Sequence, residues 1–337
     1  MTVGVPSHWL SVSDNDDFLG SSFRSRGFQN TQAKHATVCH LINHKHSHEF
    51  SKAILYLHGY TDYFFQSELA EDIIKNDYAF YALDLQGYGR SIRPFSTPNE
   101  CDSLDQYFDD LNIALTTIKE DGINEVVILA HSTGGLIASR FLQSLQQSLH
   151  NSAQSETLPA VTGLILNSPF ICLPFTPHKL KKMTRLVSTL VHLFPFYKKV
   201  SYKDKVYAKT LHKKFGGEWQ YRLDFKPSNG FGLSFAWLKQ VIKSQNTLVQ
   251  QKLHIPTLLC CSEKSTYTAQ NTHEVAQGDG ALDVESMQQT ARSIYTHLEI
   301  QTIPQGFHDL YLSKATARQH YLSAIKHWLT EQKPPSN

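Results

Sequence analysis

The chain has 337 residues, of which 41% are hydrophobic and 18% are charged, and its formal net charge is +2. This is the composition of a globular protein with a large core, and the near-neutral balance argues against a general nucleic-acid binder. Five scattered cysteines without C-x-x-C spacing suggest neither a disulfide framework nor a zinc site. With no signal-peptide pattern and no run of 18 apolar residues, the expected location is the cytoplasm.

Short apolar runs alternate with helical patterns along most of the chain, which predicts an α/β fold with a mostly parallel sheet flanked by helices. Continuous runs of branched residues predict strands covered on both faces, at Ala36–Ile42, Ala53–Leu57, Ala79–Leu83, Glu125–Ala130, Val161–Leu166, Pro256–Cys260 and Leu298–Ile303. Apolar residues at helical spacing predict helices, at Leu69–Lys75, Leu104–Lys119, Gly135–Leu149, Val284–Thr296 and Thr316–Leu329.

The predicted domain organisation is a core interrupted by an insertion. Residues 1–35 are polar and are predicted to be irregular, residues 36–170 and 252–332 form the core, and residues 171–251 break the alternation of strands and helices. We expect this insertion to be a helical lid over one end of the sheet.

The first part of the insertion is strongly basic, with eleven Lys and Arg residues and one acid, Asp204, between Ile171 and Gly217. Apolar residues recur there at helical spacing, and lysines lie between them. A basic amphipathic helix suits an anionic lipid surface, and it suits equally a lid whose apolar face covers a pocket. Both interpretations stay open, as does the oligomeric state.

A serine lies between a predicted buried strand and a predicted buried helix. Val127–Ala130 reads as the strand, and His131–Gly135 reads as a sharp turn with Ser132 at its apex. Such a turn needs small residues two positions before and after the serine, a need that Ala130 and Gly134 meet. The turn also places Ser132 at a helix N-terminus, where backbone N–H groups favour a developing oxyanion. The alternative is a loop that only caps the helix.

The surrounding motifs favour the sharp turn with Ser132 at its apex over a loop that only caps the helix. Tyr56–Tyr60 reads Y-L-H-G-Y, Asp84–Ser91 reads D-L-Q-G-Y-G-R-S, and His131–Gly135 reads H-S-T-G-G. In this order they resemble the signatures of α/β-hydrolases similar to monoacylglycerol lipases and bacterial lysophospholipases, the serine aminopeptidase S33-like group. The resemblance spans roughly Ala53–Leu329. The run His58–Gln66 also resembles bacterial α/β-hydrolases that carry H-G-Y-x-D-Y-F-F-Q.

This resemblance implies the α/β-hydrolase fold and a serine hydrolase with Ser132 as nucleophile. The backbone amides of Tyr60 and Thr133 would form the oxyanion hole. His58 would be structural and hold its loop. The tract from His44 to His48 is interpreted as surface histidines rather than a metal site, and no metal or cofactor is expected.

A serine nucleophile needs a base, and the base needs a carboxylate. In this fold they follow in the order serine, acid, histidine, so His308, in the loop after the last predicted strand, is the predicted base. The resembling family carries its acid in G-x-x-D after the preceding strand, where this chain has Ser265. We predict that Asp279 is the acid, reached across a polar insertion, with Asp283 and Glu263 as alternatives; Asp283 also fits a helix N-cap.

The sequence thus predicts hydrolysis of a carboxylic ester through an acyl-enzyme on Ser132. Aromatic residues in the insertion favour an acyl-lipid ester, as in a lysophospholipid or a monoacylglycerol. An aminopeptidase or a thioesterase would use the same residues. A non-catalytic ligand-binding protein is a further alternative, which the unusual position of the acid supports.

Overall fold

A nine-stranded sheet runs through the part of the protein described by the computed structural model, residues 10–11, 19–30, 37–94, 96–148, 157–194, 197–199, 202–269 and 271–331. Its strands in chain order are β1 Leu10–Ser11, β2 Phe23–Asn30, β3 Thr37–His44, β4 Lys52–Leu57, β5 Ala79–Asp84, β6 Glu125–His131, β7 Ala160–Asn167, β10 Leu253–Ser262 and β11 Tyr295–Ile303. The spatial order is β1-β2-β3-β5-β4-β6-β7-β10-β11. The pairs from β5 to β11 are parallel, and β1, β2 and β3 join antiparallel at one edge.

Helices cover both faces of the sheet. They are α1 Ser67–Ile74, α2 Tyr107–Glu120, α3 Thr133–Ser148, α4 Pro177–Leu193, α5 Tyr202–Leu211, α6 Phe235–Leu248, α7 Thr272–Val275, α8 Val284–Ile294 and α9 Ala315–Glu331. Helices α2, α3, α6 and α8 bury their apolar residues on one face, and α1 and α9 do so on the other. Along β4, Leu55 and Leu57 belong to the first cluster and Ile54 and Tyr56 to the second. Burial on both faces explains why the parallel strands read as unbroken apolar runs.

The prediction that residues 1–35 are irregular is wrong for Phe23–Asn30, which forms β2 and pairs antiparallel with β1 and β3. Three polar residues and Gly27 separate Phe23 from Phe28 in this strand, and Phe23 is fully buried against the core. Most of the residues described in β2 are only partly buried, so its sequence lacks the continuous apolar run of the central strands.

The boundary between α8 and β11 and two short strands of the insertion also differ from the prediction. Helix α8 ends at Ile294 rather than Thr296, and β11 begins at once with Tyr295, which pairs with Leu253 of β10. No loop separates helix from strand, so the pattern carries no break there. In the insertion, β8 Lys198–Lys199 and β9 Leu233–Ser234 pair antiparallel, where no strand was expected. Two-residue strands carry no readable period.

The insertion, residues 171–251, lies between β7 and β10 and holds α4, α5 and α6. In α4, Val187 is buried and Leu180, Met183, Leu190 and Val191 are half-buried, as their helical spacing predicts. Phe194 departs from this pattern because it follows the last residue of the helix and is 53% exposed.

Candidate active site

Ser132 occupies the single residue between β6 and α3. Its φ is +53°, a left-handed conformation that is costly for a residue with a side chain. The residues around Ser132 are small because a larger side chain would not fit. A Cβ on Gly134 would lie 2.4 Å from the carbonyl oxygen of His58, and one on Gly59 would lie 3.0 Å from the Cβ of Ser132. The turn therefore closes only because β4 and α3 approach each other at a glycine.

His308 lies in the loop between β11 and α9, and its Nε2 is 2.9 Å from the Ser132 Oγ. Both residues are 7% exposed. Asn167, at the end of β7, ties their two loops together. Its carbonyl oxygen accepts from the Ser132 N–H at 3.0 Å, and its side-chain oxygen accepts from the Leu310 N–H at 3.2 Å. The sheet edge thus fixes the serine and the histidine relative to each other.

The carboxylate that contacts His308 is Asp279, whose Oδ2 lies 3.1 Å from the His308 Nδ1. Asp279 is fully buried, and its Oδ1 accepts from the N–H groups of Ala281 and Leu282, each at 2.8 Å. Its own N–H donates to the carbonyl oxygen of Lys264 at 2.9 Å. A chain of contacts therefore runs from carboxylate to imidazole to hydroxyl, which is the arrangement that orients a base toward a serine.

The two alternative acids lie elsewhere. Asp283 caps the N-terminus of α8, where its Oδ1 accepts from the Ser286 N–H at 2.8 Å. Glu263 is exposed, and its Oε1 accepts from the Gln305 N–H at 3.3 Å. The structure brings Asp279, and neither of these two, to His308.

The loop after β4 contributes Tyr60, one of the two residues predicted to form the oxyanion hole, to the wall of the cavity. Tyr60 and Thr133 both line the cavity at Ser132. His58 is buried and holds the loop: its Nδ1 lies 2.8 Å from the Gly59 carbonyl oxygen, and its Nε2 accepts from the Leu85 N–H at 3.1 Å. Burial lowers the pKa of His58, so the neutral imidazole joins the two upstream motifs.

The cavity over Ser132 has a volume of about 280 Å³ and is lined by both the core and the insertion. Its apolar lining includes Phe170, Leu211, Leu233, Trp237 and Leu282. An apolar wall beside a serine suits the hydrocarbon part of a substrate.

An ion pair forms a polar part of the cavity wall. The carboxylate of Asp62 lies 2.5 Å from the Nζ of Lys226, which comes from the insertion. Burial raises the pKa of Asp62, but Lys226 and His131 outweigh it, and the net pKa lies below the ordinary value. The Asp62 carboxyl is therefore ionised at neutral pH.

Sequence reasoning assigned no role to this pair or to Tyr207, which also lines the cavity. Asp62 stands inside the motif that begins at His58, and that was the only signal for it. Lys226 and Tyr207 lie in the insertion, where no motif marks them.

The family model of the serine aminopeptidases S33 (Hydrolase_4) matches residues 48–314. The chain belongs to this family. No curated protein matches the chain significantly.

Solved structures show the same fold. A soluble variant of monoglyceride lipase from Saccharomyces cerevisiae, in complex with a substrate analog, is 16% identical with a TM-score of 0.62, over 92% of this chain and 97% of that one. The monoacylglycerol lipase of Paleococcus ferrophilus is 16% identical with a TM-score of 0.57, over 84% and 97%. The Pyrococcus furiosus esterase Pf2001 is 15% identical with a TM-score of 0.52, over 98% and 97%. The chain thus has the predicted α/β-hydrolase fold and is a hydrolase similar to these enzymes.

Among the residues that the structure describes, every helix is too short or too polar to cross a membrane.

Proposed function

We propose that this hydrolase cleaves carboxylic esters through an acyl-enzyme on Ser132. The observation that carries the proposal is the chain of contacts from Asp279 through His308 to the Ser132 hydroxyl. In this proposal His308 takes the hydroxyl proton as the oxygen attacks the acyl carbonyl. The backbone N–H groups of Tyr60 and Thr133 stabilise the oxyanion, and His308 returns the proton to the leaving alcohol. Water then repeats the sequence and releases the acid.

The substrate that fits best is an ester with an acyl chain, of the lysophospholipid or monoacylglycerol type. The apolar cavity wall supports this class. Its volume of about 280 Å³ lies just below the range of about 300–1,000 Å³ of most small-molecule sites. We therefore expect short and medium chains to react faster than long ones.

A fluorophosphonate probe tests the nucleophile, and a chain-length series of p-nitrophenyl esters tests the substrate class. Wild-type protein should be labelled and should hydrolyse the esters. Ser132→Ala should be neither labelled nor active, with a loss of about 10⁶ in kcat, while its melting temperature stays near that of the wild type. Absence of labelling in folded wild-type protein would contradict the proposal and favour a ligand-binding protein that does no chemistry.

An aminopeptidase is the second candidate, and the observation that favours it is the charged carboxylate of Asp62 in the cavity wall. A carboxylate there suits the ammonium group of a substrate, but Lys226 already neutralises it. Comparing an amino-acid p-nitroanilide with a p-nitrophenyl ester separates the two functions. A thioesterase would use the same residues, and an acyl thioester of matched chain length tests it in the same assay.

We also propose that helix α4 contacts an anionic lipid surface. Leu186, Leu193 and Phe194 are each more than half exposed, and they share this segment with the exposed Lys179 and Lys182. Such exposed apolar residues on a basic helix are typical of a membrane-surface segment. A matching location is the cytoplasmic face of a membrane, which the five free cysteines support.

Sedimentation with vesicles that contain phosphatidylglycerol tests this contact. Changing Lys179, Lys181 and Lys182 to Glu should lower the bound fraction at least fivefold. The matched control changes Lys243, Lys264 and Lys326 to Glu, which alters the net charge equally at exposed positions elsewhere. Equal binding of the two triple variants would contradict a specific role for α4.

A further inference from the structure

The insertion contacts the loop after β4 at three side chains within four residues. The Tyr60 hydroxyl donates to the Gly232 carbonyl oxygen at 2.7 Å, and the Arg222 N–H donates to the Tyr63 hydroxyl at 2.7 Å. Between them, Lys226 pairs with Asp62. The insertion therefore holds the loop that carries Tyr60, in addition to lining the cavity.

This loop needs such support because its backbone is strained. Thr61 has a φ of +51°, although it carries a β-branched side chain. A residue in this conformation persists only where its surroundings impose it. Asp62 is 1% exposed, and one of its carboxylate oxygens has no hydrogen-bond partner among the described residues. Without Lys226 the loop would bury an uncompensated charge beside a strained residue.

The Lys226 side chain is itself well fixed. It is 14% exposed, and its Nζ lies 5.7 Å from the centre of the Phe65 ring and 5.8 Å from that of Tyr221. An ammonium held against two aromatic rings has little freedom to move away. It provides a defined point of attachment for Asp62.

The insertion also contacts the loop of the base. The hydroxyl of Tyr207 accepts from the N–H of Asp309, the residue after His308, at 2.9 Å. The Tyr207 ring lies across the His308 ring at 6.2 Å, with the ring planes at 71°. Further along the same loop, the Trp219 indole N–H donates to the Leu312 carbonyl oxygen at 2.8 Å.

We propose that Lys226 and Tyr207 are positioning residues. Lys226 acts through Asp62 on the loop after β4 that carries Tyr60, and Tyr207 acts through Asp309 on His308. The insertion then completes the active site rather than only covering it. This proposal rests on the proposed function, in which Ser132 and His308 do the chemistry.

Steady-state hydrolysis of p-nitrophenyl butyrate by Lys226→Met tests the proposal. A displaced oxyanion donor weakens transition-state binding and leaves ground-state binding unchanged. We expect kcat to fall about 30-fold while KM stays within twofold. Lys226→Arg keeps the charge and should recover most of the lost kcat. Tyr207→Phe keeps the ring and loses the acceptor, so its kcat should fall about 5-fold.

The matched control is Lys314→Met. Lys314 also joins core to insertion through an ion pair, with Glu218 at 2.7 Å, but both side chains are about half exposed and lie away from the cavity. This variant should keep the kcat and KM of the wild type. A raised KM with unchanged kcat in Lys226→Met would make Lys226 a substrate-binding residue and overturn the proposal. Unchanged values of both constants would overturn it as well.

Where Lys226→Met fails to fold, the pair Asp62→Asn with Lys226→Met removes the buried charge. This double variant should regain the melting temperature and keep the low kcat; a wild-type kcat would overturn the proposal. Failure of the proposed function is distinguishable, because fluorophosphonate would then leave the wild type unlabelled. If the wild type is labelled and Lys226→Met keeps the wild-type kcat and KM, the positioning role is refuted and the proposed function is not.

Discussion

The turn that holds Ser132 and the loop that holds Asp279 are built by different means. The turn is a short contiguous segment in which Gly134 packs against the backbone of β4, so there is no room for another arrangement. The acid loop leaves β10 at Ser262, passes through α7 and returns to pair Asp279 with Lys264. Its geometry depends on hydrogen bonds to the carboxylate. Steric closure fixes Ser132, whereas polar contacts fix Asp279.

The variant with the largest expected effect tests whether the contact from Asp279 orients His308. Asp279→Asn should keep the two local N–H contacts and change only the partner of the His308 Nδ1. An amide there favours the wrong imidazole tautomer, so we expect kcat to fall by about 10⁴. Steady-state kinetics with p-nitrophenyl butyrate measures this.

The matched control is Asp283→Asn, four residues further along the same loop. Asparagine caps a helix nearly as well as aspartate, so both activity and melting temperature should stay close to those of the wild type. If Asp283→Asn instead abolished activity while Asp279→Asn did not, the assignment of the acid would be wrong.

This difference also explains what the sequence could predict. The parallel strands, most helices and the turn at Ser132 are encoded by residues close together in the chain, as in the apolar run before His131 and the glycines after it. Asp279 was predicted from chain order and a displaced motif, because nothing local distinguishes a carboxylate that meets His308 from one that caps α8. Its selection depends on the fold of the intervening loop.

The contacts of the insertion were not predictable for a related reason. Lys226 is one basic residue among many in the chain, and only the folded structure places its ammonium against Asp62. The strand β2 was missed because the polar residues around Phe23 conceal its burial in the sequence pattern. Pairings between distant segments leave little mark on either sequence segment.

The second prediction compares a glycine in the turn that holds Ser132 with a glycine in the loop that holds Asp279. In Gly134→Ala the new methyl group would lie 2.4 Å and 2.8 Å from the carbonyl oxygens of His58 and Leu57, backbone atoms at the end of β4 and just after it that cannot move alone. We expect a loss of about 3 kcal/mol or more in the free energy of unfolding. In Gly280→Ala the methyl group meets the Cγ1 of Val275 at 2.8 Å, which a side-chain rotation relieves. We expect a loss of about 1 kcal/mol or less there.

Denaturant unfolding of both variants at pH 7.5 measures the difference. Equal losses of unfolding free energy would mean that the loop that holds Asp279 is packed as tightly as the turn that holds Ser132. The contrast between the two regions would then not hold.

The smallest expected effect concerns a second fully buried carboxylate, Asp110 on α2, which lies outside the active site. Its oxygens accept from the backbone and side-chain N–H groups of Gln86 at 2.8 Å and 3.3 Å. Burial raises the pKa of Asp110 from 3.8 to about 7. Asp110 therefore resembles Asp279 in its contacts with N–H groups and differs from it in lacking an imidazole.

A raised pKa in the folded state means that folding is favoured by protonation of Asp110. This contribution is fully present below the unfolded pKa of 3.8 and is lost as the pH rises toward about 7. Between pH 5 and 6.5 the wild type should lose about 2 kcal/mol of unfolding free energy through this group, at about 1.4 kcal/mol per pH unit. Asp110→Asn cannot ionise and should lack this part of the slope. Urea unfolding of both proteins across this range measures it, and parallel slopes would contradict the raised pKa of Asp110.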